Sequence, residues 1–196
     1  MLQKAIMKTL NTIILSGSVR KGRQTHKVSV ELNKRLMAAG YSNTNLLDIA
    51  AYNFPVAEER VGKLDSPPTA IDEVQAFLND ADAMIFVSPE YHGSYSGALK
   101  NFLDYFSKEF FRKPIAVASV STGRFGGINA STEMQHLVLS LGAYAMPQKL
   151  IVPAIHNSID EAGNVKDEFL DANFNKFISE FTWFAEAITD KKKKKD

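Results

Sequence analysis

Cysteine is absent from the 196 residues of this chain. That absence excludes disulfide bonds, a thiol nucleophile, thiolate metal sites and iron–sulfur clusters, and nothing in the sequence calls for an oxidising compartment. Apolar runs of the roughly 18 residues that a membrane-spanning helix needs are also missing, and the first residues lack the apolar core of a secretory signal. We therefore expect a cytoplasmic protein with no membrane insertion and no metal site.

Net charge is almost absent as well, at +1 from 23 basic and 22 acidic residues. Residues 191–195 are five lysines, so the other 18 basic residues against 22 acidic ones give the rest of the chain a charge of −4. A lysine run without interleaved aromatic residues favours a solvated terminus over a surface for nucleic acid or acidic membrane. With 45% apolar residues, the composition predicts a single domain over residues 1–190, a disordered basic tail over 191–196, and no nucleic-acid partner.

Short, continuous apolar runs recur along the chain, as is typical of strands buried on both faces of a sheet. Four of them start at Thr12, Ala83, Pro114 and Lys149. A weaker run at residues 43–48 is predicted to form an edge strand.

Stretches with helical spacing of apolar residues separate these strands. Gly40 is predicted to end the first helix, and Thr69 to cap the start of the second. The last helix has the most apolar stripe, formed by Leu170, Phe174, Phe177, Ile178, Phe181, Phe184 and Ile188.

The alternation of strand and helix predicts an α/β fold, a three-layer, doubly wound sheet of five parallel strands. Ligands of such sheets bind beyond the carboxyl ends of the strands. We therefore expect function to reside in the loops that follow Ser16, Ser88 and Val120.

The first of these loops, residues 17–25, joins a buried strand to a helix and is basic. The hydroxyls of Ser18 and Thr25, the helix N-terminus and the guanidinium of Arg20 suit a phosphate group, although a solvated basic turn is the alternative. Residues 22–24 read Gly-Arg-Gln, which lacks the lysine and hydroxyl of a P-loop. The dinucleotide-binding glycine pattern is broken as well, so the loop favours a monophosphate.

The second loop lies within residues 88–101 and is rich in turn-forming and flat side chains. Gly93 and Gly97 permit a close approach of the backbone, so the loop can wrap a planar heterocycle. Taken alone, the pair of Tyr91 and His92 favours ordinary loop residues that pack on their neighbours.

Residues 121–127 form the third loop, with glycine at 123, 126 and 127. This density of glycine indicates backbone lying against something flat, or else a tight turn without function. Three such loops at one sheet edge together predict a binding site.

In these motifs the sequence resembles the flavodoxin-like NADPH-dependent FMN reductases, the group that includes bacterial quinone, azo-dye and chromate reductases. The motifs are residues 17–23, residues 89–94 continuing through 97–101, and residues 121–123 with 126–127; the match spans roughly residues 10–153. The second motif is the most specific, because it is long and directly follows a strand.

The resemblance implies a sheet in the order 2-1-3-4-5, noncovalently bound FMN, NADPH or NADH as co-substrate, and a homodimer or homotetramer. It places the FMN phosphate against Ser18, Arg20, Gln24 and Thr25. It places the isoalloxazine against Pro89, Glu90, Tyr91, His92 and Gly93, with its other edge against Ser121, Gly123, Gly126 and Gly127. The sequence departs from the pattern of many members, which have serine at Arg23 and asparagine at His92.

The implied activity is hydride transfer from NAD(P)H through FMN to a quinone, azo compound, flavin or similar acceptor. The cofactor supplies this chemistry, so no catalytic side chain is assigned. A flavodoxin-type electron carrier without NAD(P)H turnover and a flavin-free protein of the same fold are the alternatives. Such carriers are usually strongly acidic, and the mild charge here favours the reductase. Phe110 and Phe111 follow a helix with its own apolar stripe, so they either form a partner surface or cap the core.

Overall fold

The computed structural model describes residues 10–193, with side chains to residue 190. Among these residues, six parallel strands form one sheet in the order β2-β1-β3-β4-β5, and β6 pairs with β4. The predicted α/β fold and strand order are therefore confirmed. The strands are β1 (Thr12–Ser16), β2 (Thr44–Asp48), β3 (Ala83–Pro89), β4 (Pro114–Val120), β5 (Tyr144–Ala145) and β6 (Leu150–Val152).

The fifth position of the sheet is shared by two short strands, of which only the second is predicted by the sequence. Strand β5 pairs with Pro114 and Ile115, whereas β6 pairs with residues 118–120 further along β4. Pro147 lies between them and has no N–H to continue the ladder.

Helices cover both faces of the sheet. Their bounds are α1 (Thr25–Ala38), α2 (Ile71–Asp80), α3 (Gly97–Asp104), α4 (Ile128–Ser140), α5 (Ile155–Ser158) and α6 (Glu168–Lys193), with 3-10 turns at Ile49–Ala51 and Lys108–Phe110. One apolar core joins α1 and α6 to the sheet, and the other joins α2, α3 and α4 to its opposite face. No helix within residues 10–193 is both long and apolar enough to cross a lipid bilayer.

The continuous apolar runs arise because the central strands are covered on both sides. Ile14 and Ile85 belong to the core beneath α1 and α6, whereas their neighbours Leu15 and Phe86 belong to the core beneath α2, α3 and α4. Since successive side chains of a strand point to opposite faces, both sets of positions must be apolar.

The helix ends follow the sequence in one of the two predicted cases. Gly40 ends α1 with a φ of 95°, and the Tyr41 N–H donates to the Leu36 carbonyl, as predicted for a glycine-terminated helix. The prediction that Thr69 caps α2 is wrong. The capping residue is Ala70, with a φ of 72°, and the Ile71 N–H donates to a backbone carbonyl, so a backbone turn starts this helix.

The two phenylalanines after α3 divide between core and surface. Phe110 is fully buried and meets the Phe86 ring edge-on, with 6.1 Å between centroids. Phe111 is 59% exposed. At the other end of the chain, residues 191–193 of the predicted disordered tail continue α6, and residues 194–196 lie outside the described residues.

The apolar stripe of α6 provides a test of this packing. We expect Phe177→Ala to lower the free energy of unfolding by about 3–5 kcal/mol, because it leaves a cavity where a fully buried ring stood. Phe169→Ala is the matched control on the same helix, since that ring is 76% exposed, and its effect should stay within about 0.5 kcal/mol. Urea unfolding measures both, and equal losses would contradict the packing of α6.

Candidate functional site

The three predicted loops meet at one cavity of about 290 Å³ beyond the carboxyl ends of the strands. The cavity brings together the predicted residues Ser18, Arg20, Gln24, Thr25, Pro89, Glu90, Tyr91 and Ser121. Its lining does not include the predicted residues His92, Gly93, Gly123, Gly126 and Gly127.

The first loop leaves β1 through a contact that only glycine permits. The Gly17 N–H donates to the Val87 carbonyl at 2.7 Å, and a Cβ at this position would lie 2.7 Å from that same oxygen. The Gly17 carbonyl accepts from the Ser96 hydroxyl at 2.5 Å, and the hydroxyl oxygen in turn caps α3 by accepting from the Leu99 N–H at 3.1 Å. The first and second loops are thus joined by the Ser96 hydroxyl.

Arg23 braces the first loop from within. Its guanidinium donates to the Ser18 carbonyl at 2.6 Å and engages both carboxylate oxygens of Asp48, one of them at 2.6 Å. Both side chains are mostly buried, with 20% and 22% exposure, and His26 Nδ1 lies 3.5 Å from the same carboxylate. The departure at Arg23 therefore replaces a small hydroxyl residue by a structural cross-link from the loop to the end of β2.

Arg20 presents its charge to the cavity instead. Its guanidinium carbon lies 3.6 Å from the centroid of the Tyr91 ring, and Ser18 Oγ lies 3.5 Å from the Tyr91 hydroxyl. Among the described residues, no carboxylate forms an ion pair with Arg20. This stacked geometry holds a cation at the cavity wall.

The start of α1 is open to an anion. Its N-cap residue, Gln24, makes no side-chain cap, and the first turn contains no acidic residue. The first N–H groups of the helix therefore lack a capping side chain at the positive end of the helix dipole. The Gln24 Oε1 atom is also buried and accepts no hydrogen bond from the described part of the chain.

The second loop turns sharply at His92 and Gly93. Tyr91 and Ser94 exchange two backbone hydrogen bonds of 2.8 and 3.1 Å, and the two residues between them have φ values of 52° and 79°. Two left-handed residues closed by these bonds are the pattern of a type I′ turn. Histidine at position 92 adopts the left-handed conformation that asparagine favours.

The Glu90 carboxylate caps the start of α4. Its Oε2 atom accepts from the Asn129 and Ala130 N–H groups at 3.0 and 3.1 Å. Gly127 precedes this helix with a φ of 82°, and a Cβ there would lie 3.2 Å from the Glu90 Cβ. The Glu90 carboxylate therefore complements the α4 dipole.

The third loop is tied to α5, which contributes the residues that sequence reasoning missed. The Ser121 carbonyl accepts from the Ile155 N–H at 3.1 Å, and Ile155 and His156 complete the cavity wall. Gly126 packs so tightly that a Cβ would lie 2.3 Å from Ile151. The missed residues follow β6, so the rule that ligands lie beyond strand ends could have found them. The other unpredicted lining residues are Lys21, Gly22, Arg23, Val120 and Thr122.

Two other features of the second loop and α3 are candidates for a chemical group or a binding site: the Tyr95 phenol and a second cavity. Burial raises the pKa of the Tyr95 phenol, with Lys100 opposing the shift and Asp104 and Glu133 adding to it. The phenol therefore stays protonated near neutral pH. A cavity of about 740 Å³ lies beside α3, but its Lys100 and Asp104 pair with each other at 2.5 Å, and of the first loop it includes only Val19.

The cross-link between Arg23 and Asp48 provides a test of this geometry. We expect Arg23→Ala and Asp48→Ala each to lower the free energy of unfolding by about 1–3 kcal/mol, because each leaves a mostly buried partner charge unpaired. The double variant should lose less than the sum, with a coupling of about 1 kcal/mol or more in urea unfolding.

The exposed pair Lys100 and Asp104 is the control for this cycle. Its side chains are 47% and 46% exposed, so the same double-mutant cycle should give about 0.5 kcal/mol or less. Strict additivity at Arg23 and Asp48 would show that the cross-link does not brace the loop.

Comparison with known proteins identifies the family. The family model described as NADPH-dependent FMN reductase matches residues 10–157. An NADPH azoreductase of Bacillus sp. (strain OY1-2) is 30% identical over 155 residues, covering 79% of this chain and 83% of that protein. A quinone reductase of Pseudomonas putida is 32% identical over 176 residues, covering 85% and 91%.

Solved structures agree in fold. The flavoenzyme NAD(P)H:(acceptor) oxidoreductase FerB from Paracoccus denitrificans superposes with a TM-score of 0.76 at 22% identity, covering 90% of this chain and 97% of that one. This likeness matches the parallel sheet in the order β2-β1-β3-β4-β5. With the sequence matches over most of its length, the chain belongs to the NADPH-dependent FMN reductase family.

Proposed function

We propose that the three loops bind FMN noncovalently and that the enzyme transfers hydride from NAD(P)H to a quinone, azo compound, free flavin or similar small acceptor. The observation that carries the proposal is one cavity that brings together an uncapped helix start, an arginine stacked on Tyr91 and residues of all three loops. The relatives named azoreductase and quinone reductase support this range of acceptors.

The residues of the cavity fit the phosphate and the ribityl chain of FMN. Ser18, Arg20 and Thr25, with the open start of α1, would hold the phosphate through hydroxyl, guanidinium and backbone donors. The buried Gln24 Oε1 atom, without a partner among the described residues, would accept from a ribityl hydroxyl.

The second and third loops fit the ring system. Pro89, Tyr91 and the N–H groups of the His92–Gly93 turn would border one edge of the isoalloxazine, and Ser121 with Gly123 would border the other. Gly126 and Gly127 are buried against protein atoms, so they would shape the third loop behind that edge. Fixed N–H donors at the ring edge stabilise the negative charge of a reduced flavin, because they need no reorganisation.

Bound FMN supplies the hydride acceptance and donation, so the chain's task is binding and orientation. We assign no catalytic acid or base. The Glu90 carboxylate accepts from the start of α4, and the raised pKa of Tyr95 keeps that phenol neutral. The alternative of an electron carrier without NAD(P)H turnover is less well supported, because the matching family consists of NADPH-dependent reductases.

A homodimer or homotetramer is part of the proposal. Phe111, Leu139 and Tyr144 expose 59%, 60% and 41% of their surface. Leu139 and Tyr144 lie on either side of Gly142, and Phe111 packs against that glycine. Exposed large apolar residues that cluster are typical of a protein interface. A cytoplasmic location is proposed from the sequence, which has no cysteine.

An absorbance spectrum tests the function directly. We expect the purified protein, after incubation with FMN and desalting, to retain a yellow flavin spectrum that bleaches when NADPH is added anaerobically. Adding a quinone should restore the colour. A colourless protein would contradict cofactor binding, and bound flavin that neither NADPH nor NADH bleaches would favour the electron carrier.

Comparing FMN with riboflavin in one variant separates the phosphate site from the ring site, and a second variant is the control. Arg20→Ala should weaken FMN binding by roughly tenfold or more, since a charge-assisted contact to phosphate is lost. It should affect riboflavin, which has no phosphate, much less. Lys176→Ala removes an exposed charge on α6 and should leave both affinities unchanged in fluorescence titrations.

The proposed interface has its own test. We expect the wild-type chain to elute from size exclusion with light scattering as a dimer or tetramer, and Leu139→Asp to shift it toward the monomer, because a charge is placed within an apolar contact. Trp183→Asp, at an exposed aromatic on α6, is the control. A wild-type monomer, or dissociation by the control variant alone, would contradict this surface.

A further inference from the structure

We propose that Arg124 and Phe125 bind the adenosine 2′-phosphate end of NADPH and thereby make the enzyme prefer NADPH over NADH. This inference rests on the proposed function, because it concerns the reductant of the same reaction. The two residues form the tip of the third loop, beside the edge proposed for the flavin.

The tip is held rigidly at its base while its side chains project outward. The Gly123 carbonyl accepts from the Gly126 N–H at 3.3 Å and from the Ala154 N–H at 3.1 Å. The Arg124 guanidinium carbon lies 4.7 Å from the centroid of the Phe125 ring, which is 68% exposed. The structure therefore presents a stacked cation and aromatic ring on a fixed turn.

A cavity of about 620 Å³ lies directly beside this tip. Phe125 and Phe169 both line it, and the Phe169 ring is 76% exposed. Its volume is within the range of sites for small molecules, and aromatic rings stack with any nucleic-acid base through the π-face of that base. A purine nucleoside matches both the size and the lining.

The position of this cavity fits a dinucleotide that must reach the flavin. The third loop and α5 form a wall that both cavities share: Ser121 and His156 line the first, whereas Arg124 and Asn157 line the second. NADPH carries its nicotinamide and its adenosine at opposite ends. With the nicotinamide at the flavin, the adenosine can extend past this wall into the second cavity.

The charge of Arg124 is available for a phosphate. Two nearby cations are engaged, since Lys27 pairs with Glu161 at 3.1 Å and Arg23 pairs with Asp48, and Arg20 is stacked on Tyr91 in the first cavity. Within residues 10–190, no carboxylate forms an ion pair with Arg124.

One carboxylate, that of Asp167, lines the same cavity, but its Oδ1 atom accepts from the N–H of Leu170 at 2.6 Å. Asp167 is thus held at the start of α6. A guanidinium can pair with a phosphate through two hydrogen bonds and stack with a ring at once, which a lysine cannot do. Arg124 is suited to the group that distinguishes NADPH from NADH.

Steady-state kinetics of the FMN-loaded enzyme with a quinone acceptor test this assignment. We expect Arg124→Ala to lower the ratio of kcat/KM for NADPH to that for NADH by about tenfold or more, through KM for NADPH. Arg124→Lys should recover part of the loss. Phe125→Ala should raise KM for both dinucleotides, because the adenine is common to them.

A binding measurement separates recognition from turnover. Adenosine 2′-monophosphate should compete with NADPH more strongly than adenosine 5′-monophosphate, and Arg124→Ala should remove that difference. Arg60→Ala is the matched control, as it removes an exposed arginine from the long loop before α2. It should leave both the kinetic ratio and the competition unchanged.

Each contrary outcome has a distinct meaning. An enzyme that binds FMN and oxidises NADPH, yet shows no change in the ratio with Arg124→Ala, overturns the inference alone. Loss of the preference for NADPH in Arg60→Ala also overturns it. Dissociation of an oligomer by Phe125→Ala does so too, because it would assign this face to a second copy of the chain. Failure to retain flavin, or to bleach it with either dinucleotide, overturns the proposed function instead.

Discussion

The carboxyl ends of β1 and β3 lie so close at Gly17 that the backbone of one strand occupies the space a side chain would need on the other. This contact determines where the first loop leaves the sheet. Because the Ser96 hydroxyl bonds the Gly17 carbonyl and caps α3 at the same time, it also determines where α3 begins relative to that loop. The first loop and α3 are thus joined by backbone atoms and one hydroxyl, and the residues of the first loop that line the cavity begin directly after this contact, at Ser18.

The electrostatics of the site result from two helices that begin at the same sheet edge. A carboxylate caps the start of only one of them. The start of α4 is complemented by the Glu90 carboxylate, whereas the start of α1 has neither a side-chain cap nor an acidic first turn. An anion at this edge is therefore directed to α1. The basic residues of the first loop are divided in the same way, since Arg23 is neutralised by Asp48 and Arg20 faces the cavity. In this member of the NADPH-dependent FMN reductase family, the loop combines structural and ligand-directed charge within four residues.

The sequence predicts most of the fold because the central strands are buried on both faces and leave continuous apolar runs. Strand β5 escapes prediction, since two residues carry no periodic signal. The start of α2 escapes as well, because a left-handed Ala70 has no sequence signature. At the site, the loops are predictable from their place after strands, but the role of Arg23 depends on Asp48, which is 25 positions away. Likewise, Glu90 is part of a specific motif, yet only the folded chain shows that its carboxylate bonds the backbone of Asn129 and Ala130.

The type I′ turn at His92 and Gly93 has a consequence for how such an enzyme diversifies. Its donors are main-chain N–H groups, so they persist under any substitution at position 92 that tolerates a left-handed backbone. His92 can therefore be replaced by another residue that tolerates this backbone without loss of those N–H donors. Substitution at position 92 can therefore change the chemistry of the side chain at this turn while the main-chain geometry of the second loop stays the same.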